Sequence, residues 1–339
     1  MRNMRRINSF FLVLAAVTAA VVILALSIGT VSFSPARVLR MTASAIFGAE
    51  DSSLEAVILL RLRLPRVILG LIVGGGLAVA GVIFQGIFRN PLVEPYTLGV
   101  SGGAALGISL AFILGPLFPR FTLPLFGFAG AWLAVSTAYA IARRRRFLRI
   151  PYLLLIGVMI SFISSALIML LLSVADLHRF RAVIYWTMGS LDSADPVLLW
   201  FAIPVIVLGS AAALTRAWTL NALELGEEGA IGLGVRLRRD QRQLFFLGSL
   251  LAGTAVAAAG VIGFVGLVVP HVVRLFLGND HRLTIPASFL AGGTFLVFCD
   301  LIARTVRSPA ELPVGVVTGI IGGSLFIYFL ASGRGRGEQ

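Results

Sequence analysis

The sequence predicts an all-α polytopic membrane protein with about ten transmembrane helices. Apolar residues make up 58% of the 339 residues, and the mean hydropathy is +0.98. Charged residues account for only 13%, about half of what a soluble domain carries. The apolar residues gather in runs of about twenty, the length that crosses the hydrocarbon core of a membrane, and short polar segments separate these runs.

The first run follows the basic segment MRNMRR. Its apolar core is longer than that of a signal peptide and no clear A-x-A cleavage site follows, so we interpret it as a retained first span. The eighth run is too short to cross alone, and we expect a short or broken helix near 265–277, packed inside the bundle. The predicted spans are 9–29, 64–84, 98–118, 123–142, 152–172, 196–214, 243–263, 265–277, 284–303 and 313–331.

The basic residues orient the predicted spans. All 28 are arginines, because the sequence contains no lysine. They mark the ends of apolar runs and form no single basic face, which argues against a nucleic acid partner despite the net charge of +13. With the N-terminus inside, the larger share of arginines lies inside, as the positive-inside rule requires. We therefore expect both termini in the cytoplasm and membrane lipid around the bundle.

Several kinds of chemistry are excluded by missing residues. Without lysine the chain has no Walker A lysine for nucleotide phosphates and no Schiff-base amine. The single Cys299 excludes a disulfide framework and a cysteine zinc site, and three scattered histidines predict no metal site. The middles of the clear spans contain no residue that could carry a coupled ion, and Asp300 lies near a span end, which disfavours an ion-coupled carrier. Energy for transport should therefore come from a partner.

An internal repeat runs through the chain. The segments 80–99 and 259–278 align without a gap and share AGVI, a proline (Pro91 and Pro270) and a terminal glycine. Five spans separate the copies, so the two copies face opposite sides of the membrane. Two inverted five-helix repeats are an arrangement typical of transporters.

These observations predict one transmembrane domain over 1–339, with repeat one at about 9–172 and repeat two at about 196–331. The longest inside loop, 215–243, has leucines at helical spacing followed by acidic residues. A solvated loop is one interpretation. The other is a short amphipathic helix that docks a soluble partner.

Six motifs carry a resemblance to a known family. From about residue 55 to 331 the sequence resembles FecCD-type permease subunits of type II ABC importers, which take up ferric siderophores, haem and vitamin B12. The motifs are RLPR (63–66), FRNPLVEPYTLGVSGGAALG (88–107), YWTMGSL (185–191), LNALELGEEGAIGLGV (220–235), GFVGLVVPHVVRLFLGNDHR (263–282) and AELPVGVVTGIIGG (310–323).

The resemblance implies import of a metal chelate across the bacterial inner membrane, driven by ATP. A ferric siderophore is the first expectation, and haem or cobalamin are alternatives. The implied assembly is a homodimer, or a heterodimer with a similar subunit, together with two ATPase subunits and a periplasmic substrate-binding protein. ATP and Mg²⁺ would bind to the ATPase, so no cofactor and no enzymatic activity are expected on this chain.

The resemblance also implies roles for individual residues. Docking of the binding protein falls on Arg63, Arg66 and Arg304, with simple anchoring at the membrane interface as the alternative. Coupling to the ATPase falls on Asn221, Ala222, Leu223, Glu224, Leu225, Gly226, Glu227 and Glu228.

The implied cytoplasmic gate consists of Asn90 and Leu92, with Ile150 and Pro151 at the start of the fifth span. Family members often have small hydroxyl residues at these last two positions. We therefore predict an apolar constriction that closes by excluding water. Pro91 should end the second span at Asn90, because proline disfavours helix at the residue before it.

Two further groups of residues leave alternatives open. His178, Arg179 and Arg181 could attract anionic groups of a chelate on the outside, or simply anchor the interface. Ser101 in GVSGG, with His271 as its partner, would fit a rhomboid-like intramembrane protease, but a serine among glycines also serves close helix packing. An ion-coupled secondary carrier with inverted repeats is the other rival class.

Overall fold

The computed structural model describes residues 2–46, 53–114, 122–143, 150–192, 196–308 and 310–332. A π-helical stretch, Val57–Arg63, joins α3 to α4, and a 3-10 turn, Pro95–Leu98, precedes α5. The α-helices are α1 (Arg2–Ser27), α2 (Pro35–Ile46), α3 (Leu54–Ala56), α4 (Leu64–Phe88), α5 (Val100–Ile113), α6 (Leu123–Arg143), α7 (Ile150–Ser173), α8 (Leu177–Thr187), α9 (Pro196–Thr215), α10 (Ala217–Glu224), α11 (Glu227–Gly232), α12 (Leu237–Ala259), α13 (Val265–Leu277), α14 (His281–Thr305) and α15 (Val314–Ala331).

The predicted all-helical membrane fold is confirmed. In the described ranges, eight helical segments are long and apolar enough to cross a membrane, and α5 and α13 are shorter apolar helices. The short helix predicted at 265–277 is α13. The full-length third span predicted at 98–118 is wrong, because α5 begins only at Val100, after the 3-10 turn, and ends at Ile113. Pro95 and Gly99 explain this late start, since proline and a left-handed glycine interrupt an α-helix.

Helix α4 is the centre of the bundle. It packs against α9, α12, α13 and α14, and its buried residues include Phe84, Leu77 and Ile83. Arg63 precedes α4 and Arg89 follows it. We therefore name the two ends of the bundle the Arg63 side and the Arg89 side.

Glycines set the closest helix crossings. A Cβ atom added to Gly74 would overlap the carbonyl of Gly292 in α14, and one added to Gly292 would overlap the carbonyl of Gly74. A Cβ on Gly81 would overlap the backbone of Gly266 in α13. Small residues let membrane helices approach until their backbones touch, so α4 is in backbone contact with both α13 and α14.

Gly81→Ala is expected to destabilise the protein, because the atom in its way is a backbone carbonyl oxygen that cannot rotate aside. Overpacking of this kind costs about 1–3 kcal/mol. The measurement is the thermal unfolding midpoint in detergent. Gly319→Ala is the control, since a Cβ there meets nothing within 4 Å. Equal midpoints for the two variants would contradict the crossing.

The two repeats differ in detail from the ungapped alignment. Ala80 and Gly81 lie inside α4, whereas the aligned Ala259 ends α12 and Gly260 lies beyond it. Pro91 lies in an exposed turn, but Pro270 is buried inside α13. The prolines therefore occupy different structures, and their expected equivalence is not observed.

Candidate functional site

The polar turn after α4 lies on the Arg89 side. Helix α4 ends at Phe88, and Arg89 takes the left-handed conformation with φ 49°. The Asn90 side-chain oxygen accepts a hydrogen bond from the Leu92 N–H at 2.9 Å, and both side chains are exposed. The prediction that Pro91 ends this helix is confirmed. We call residues 89–92 the Asn90 turn.

The chain after the Asn90 turn re-enters the bundle and holds the connection between α12 and α13. The Glu94 carboxylate accepts a hydrogen bond from the Phe264 N–H at 2.5 Å. The Tyr96 hydroxyl donates to the Ile262 carbonyl at 2.7 Å and accepts from the Ile262 N–H at 2.9 Å. Sequence reasoning gave Glu94 no role. A carboxylate between two prolines in an apolar region was the available signal.

Tyr96→Phe is expected to lower the free energy of unfolding by about 1–3 kcal/mol, because the Ile262 N–H loses its acceptor inside the bundle. Thermal unfolding in detergent measures this loss. Tyr185→Phe serves as the control, since Tyr185 is an exposed tyrosine of α8. A Tyr96→Phe midpoint equal to that of the control would contradict the role of the hydroxyl.

The second gate element starts beside the first. Ile150 and Pro151 are the first residues of α7, and their side chains lie outside the described part of the structure. Leu153, in the same turn, lines a small cavity together with Ile87 and Phe88 at the end of α4. The structure therefore brings the start of α7 to the Arg89 side.

The predicted docking loop forms two short helices, α10 and α11, joined at Leu225 and Gly226, whose φ is 94°. Among the predicted coupling residues, Ala222 and Leu223 are buried, whereas Leu225, Glu227 and Glu228 are exposed. Ile231 and Leu233 lie in the segment whose resemblance implies coupling helices but were not singled out from the sequence, and they are 58% and 48% exposed. Their apolar character between glycines was the available signal. We call Leu225, Ile231 and Leu233 the coupling surface.

Asn221 fixes α10 to the start of α14. Its side-chain amide donates to the Asp280 carboxylate at 2.8 Å, and its oxygen accepts from the His281 N–H at 2.9 Å. Burial alone would raise the pKa of Asp280, but hydrogen bonds from Asn221 and from the Arg282 N–H lower it overall. Asn221 therefore faces the bundle and leaves the outward face of α10 and α11 to other residues.

Arg89 connects the Asn90 turn to the two short helices. Its guanidinium lies 3.5 Å from the position that a Cβ atom on Gly226 would occupy. The predicted gate and the predicted coupling segment are therefore neighbours on the Arg89 side.

Arg63 is buried on the Arg63 side and binds the end of α1. Its guanidinium donates to the carbonyls of Leu26 at 2.8 Å and Ser27 at 3.3 Å. It also lies 4.9 Å from the centre of the Phe33 ring, an arrangement favoured by the ring quadrupole.

Arg66 and Arg304 surround one buried carboxylate. Arg66 binds Asp300 at 2.9 Å and Glu311 at 2.8 Å. Arg304 lies 3.8 Å from Asp300 and donates to the Ala25 carbonyl. Asp300 itself is only 2% exposed. The ion pair with Arg66 accounts for a charged residue in this span without any coupled ion.

The three arginines predicted for docking are therefore bound to the chain itself. Arg61 and Arg307 are two exposed arginines close to them in the sequence. Docking through Arg63, Arg66 and Arg304 stays a prediction.

The predicted outer contact residues separate into two groups. The Arg179 N–H bonds to the Asp176 carboxylate at 2.9 Å and thereby lowers the pKa of Asp176. The Arg179 side chain pairs with Asp176 at 3.0 Å and donates to the Ile113 carbonyl at the end of α5. Arg179 thus ties α8 to α5, while His178 and Arg181 are exposed.

The residues of the protease hypothesis pack against different helices. Ser101 lies in the first turn of α5, where a Cβ on Gly102 would lie 3.0 Å from Ser161 of α7. The His271 ring packs 5.6 Å from the Phe329 ring of α15. Within the described ranges, no group of three His, Cys, Asp or Glu side chains could hold a metal ion.

Comparison with known proteins gives consistent relatives. The FecCD transport family model matches residues 17–332. The cobalamin import system permease protein BtuC of Halobacterium salinarum is 41% identical over 87% of this chain and 79% of its own. The hemin transport system permease protein HmuU of Yersinia pestis is 41% identical over 81% of this chain and 83% of its own.

A solved structure has the same fold. It is an inward-facing conformation assigned to the metal-chelate type of ABC transporter, with a TM-score of 0.84 and 30% identity over 96% of this chain and 99% of its own. The match covers both the helical bundle and the segment that carries α10 and α11. The chain belongs to the FecCD transport family.

Proposed function

We propose that this chain is the permease subunit of an ABC importer that moves a metal chelate into the cytoplasm. The observation that carries the proposal is the coupling surface on α10 and α11, which lies beside the Asn90 turn. Exposed apolar residues on an extramembrane element are typical of a protein contact. A partner bound there would push directly on the turn that ends α4.

The Arg89 side is the cytoplasmic side in this proposal. Helix α1 starts and helix α15 ends on this side, since Phe10 of α1 packs on Phe276 of α13 and Phe329 of α15 packs on His271 of α13. Arg5 and Arg6 lie near the start of α1, and Arg238 and Arg242 line the cavity at the end of α4, in agreement with the positive-inside rule. Single-cysteine variants in a Cys299→Ser background, labelled with a membrane-impermeant thiol reagent, test the orientation.

A second copy of the chain and two ATPase subunits complete the proposed importer. Helix α7 exposes Met159, Phe162 and Ile163, and only 17% of its most apolar stretch of 18 residues is buried in the chain. Such a surface suits a homodimer with the path between the two copies. ATP and Mg²⁺ would bind to the ATPase, because this chain lacks the lysine of a P-loop.

The periplasmic binding protein would dock on the Arg63 side. There Arg61 and Arg307 are exposed, whereas Arg63, Arg66 and Arg304 hold the helix ends together. An acidic surface on the binding protein would contact the exposed arginines. The buried arginines would stabilise the helix ends that form this docking surface of the permease.

The cargo class is tested by reconstitution. The two relatives are named for cobalamin and hemin, and a ferric siderophore is the first expectation from the sequence. The complex with its ATPase and binding protein is placed in liposomes, and ATP hydrolysis and uptake are measured for all three chelates. Stimulation by one of them is expected. No stimulation by any metal chelate would remove the proposed cargo class.

Ile150→Asp is expected to leave the gate leaky, because a carboxylate keeps water in a constriction that closes by drying. ATP hydrolysis without uptake, or leak of chelate from loaded liposomes, measures the effect. Ile150→Leu is the matched control and should keep normal coupling. Unchanged coupling in Ile150→Asp would count against Ile150 as a gate residue.

A further inference from the structure

A buried glutamine near the inner end of α4 connects α4 to both ends of α13. Gln85 is 3% exposed. Its side-chain nitrogen donates to the Gly266 carbonyl at 3.1 Å, in the first turn of α13. Its oxygen accepts from the Arg274 guanidinium, in the last turn of α13. Because a guanidinium can only donate, the amide has one orientation that satisfies both partners.

Arg274 in turn faces the short helix α10. The Glu224 carboxylate attracts the Arg274 guanidinium, and it lies 3.7 Å from the ring nitrogen Nε2 of His281. His281 is fully buried and lies 2.8 Å through its other ring nitrogen from the Asn221 oxygen. Asn221 and Glu224 are one turn apart on α10, so two side chains of this helix face the same buried polar cluster.

Two buried nitrogen atoms of the cluster lack a hydrogen-bond partner. Arg274 Nε and His281 Nε2 are buried and have no hydrogen-bond partner in the described residues. Buried polar groups are usually satisfied, and a partly satisfied cluster between two helices can adopt a second arrangement when α10 moves.

The end of α4 that carries Gln85 packs closely against α10 and the start of α14. A Cβ atom on the neighbouring Gly86 would lie 3.0 Å from Leu220 of α10 and 3.1 Å from His281. Displacement of α10 must therefore move the end of α4, the start of α14, or both.

The other end of α13 is held by the chain that follows the Asn90 turn. Glu94 bonds to the Phe264 N–H and Tyr96 to Ile262. Gly278 follows the helix directly and Gly260 lies five residues before it, both with φ 73°, a conformation that glycine adopts without strain. Helix α13 is thus a rigid element about 20 Å long between α10 and the chain that follows the Asn90 turn.

We propose that Gln85 and Arg274 are positioning residues that transmit movement of α10 through α13 to the Asn90 turn. This inference rests on the proposed importer function. The alternative is that the cluster only stabilises the fold. A chain of contacts alone does not demonstrate coupling, so the test measures transport per ATP and the energetic interaction between the two residues.

The test compares Gln85→Met, Arg274→Lys and the double variant in the reconstituted complex. Met nearly keeps the volume of Gln but makes neither hydrogen bond, and Lys keeps the charge but lacks the planar fork of arginine. Haem, cyanocobalamin and a ferric hydroxamate siderophore are supplied in parallel. Chelate moved per ATP hydrolysed is expected to fall at least tenfold in each single variant, with ATP hydrolysis within about twofold of wild type. The double variant is expected to be no worse than either single one.

Ser249→Ala is the control and should keep the wild-type ratio, because Ser249 is a buried polar residue of α12 outside this cluster whose hydroxyl donates to the Phe245 carbonyl of its own helix. A wild-type ratio in Gln85→Met would overturn the proposal. So would a proportional fall of uptake and ATP hydrolysis together with a lower unfolding midpoint, since that result indicates a structural role. Absence of uptake by the wild type for all three chelates would instead refute the proposed function.

Discussion

Leu225→Asp and Ile231→Asp are each expected to weaken binding of the ATPase subunits at least about thirtyfold, the effect of losing an interface residue worth about 2 kcal/mol. Leu225 is 68% exposed in the permease alone, so its side chain contributes little to the stability of the fold. In the complex, a carboxylate would enter an apolar contact without a partner, which adds a desolvation cost to the lost packing. Affinity of the purified permease for the ATPase, measured by biolayer interferometry in detergent, tests the expectation.

Leu177→Asp is the matched control for this prediction. Leu177 is 67% exposed and begins α8 on the Arg63 side. The control therefore makes the same substitution at an equally exposed leucine, at the end of the bundle opposite the coupling surface. It should leave ATPase affinity unchanged. Equal affinities for Leu225→Asp and Leu177→Asp would exclude Leu225 from the contact.

Asp300→Ala is expected to lower the free energy of unfolding by about 3 kcal/mol, the lower end of the cost of breaking a buried ion pair from one side. The loss arises because Arg66 keeps only the more exposed Glu311 and Asp192 as partners and Arg304 loses the nearest carboxylate. Chemical or thermal unfolding in detergent measures the change. Replacing Arg66 with Met in the same variant should recover part of the loss, because one uncompensated charge disappears.

Asp192→Ala is the control for the ion pair. Asp192 also approaches Arg66, at 3.4 Å, but its side chain is 76% exposed. Exposed ion pairs contribute about 0–1 kcal/mol. Similar losses of unfolding free energy for Asp192→Ala and Asp300→Ala would show that burial does not determine how much each ion pair of Arg66 stabilises the protein.

The sequence predicted the elements whose signals are local. The bounds of α13 were predictable because the apolar run ends at Gly278, and the end of α4 because Pro91 follows Asn90. The short α5 was not predicted. The predicted span 98–118 began at Leu98, which belongs to the 3-10 turn, and it extended past Ile113, where α5 ends, because the apolar run continues there.

Partners of buried polar residues could not be predicted from the sequence. Gln85 meets Arg274, and Arg66 meets Asp300, only because α4 lies between α13 and α14. Hydropathy also gives no indication of whether an arginine at a span end points to solvent or inward, which is why the burial of Arg63 and Arg304 came from the structure alone. The helical character of the segment predicted for coupling was better predicted, because its polar and apolar residues alternate at helical spacing. Its coupling role stays a prediction.

The crossing at Gly74 and Gly292 determines which parts of the importer can move. Helix α4 belongs to the first half of the chain and α14 to the second, and their backbones touch at this crossing. The pair of Arg66 and Asp300 joins the same two helices near one end. The halves therefore cannot rock against each other, as they do in many carriers built from inverted repeats. In the proposed dimer, the two halves of each copy should therefore move together. Alternation between outward and inward access should combine movement at the boundary between copies with the smaller movement of the Asn90 turn.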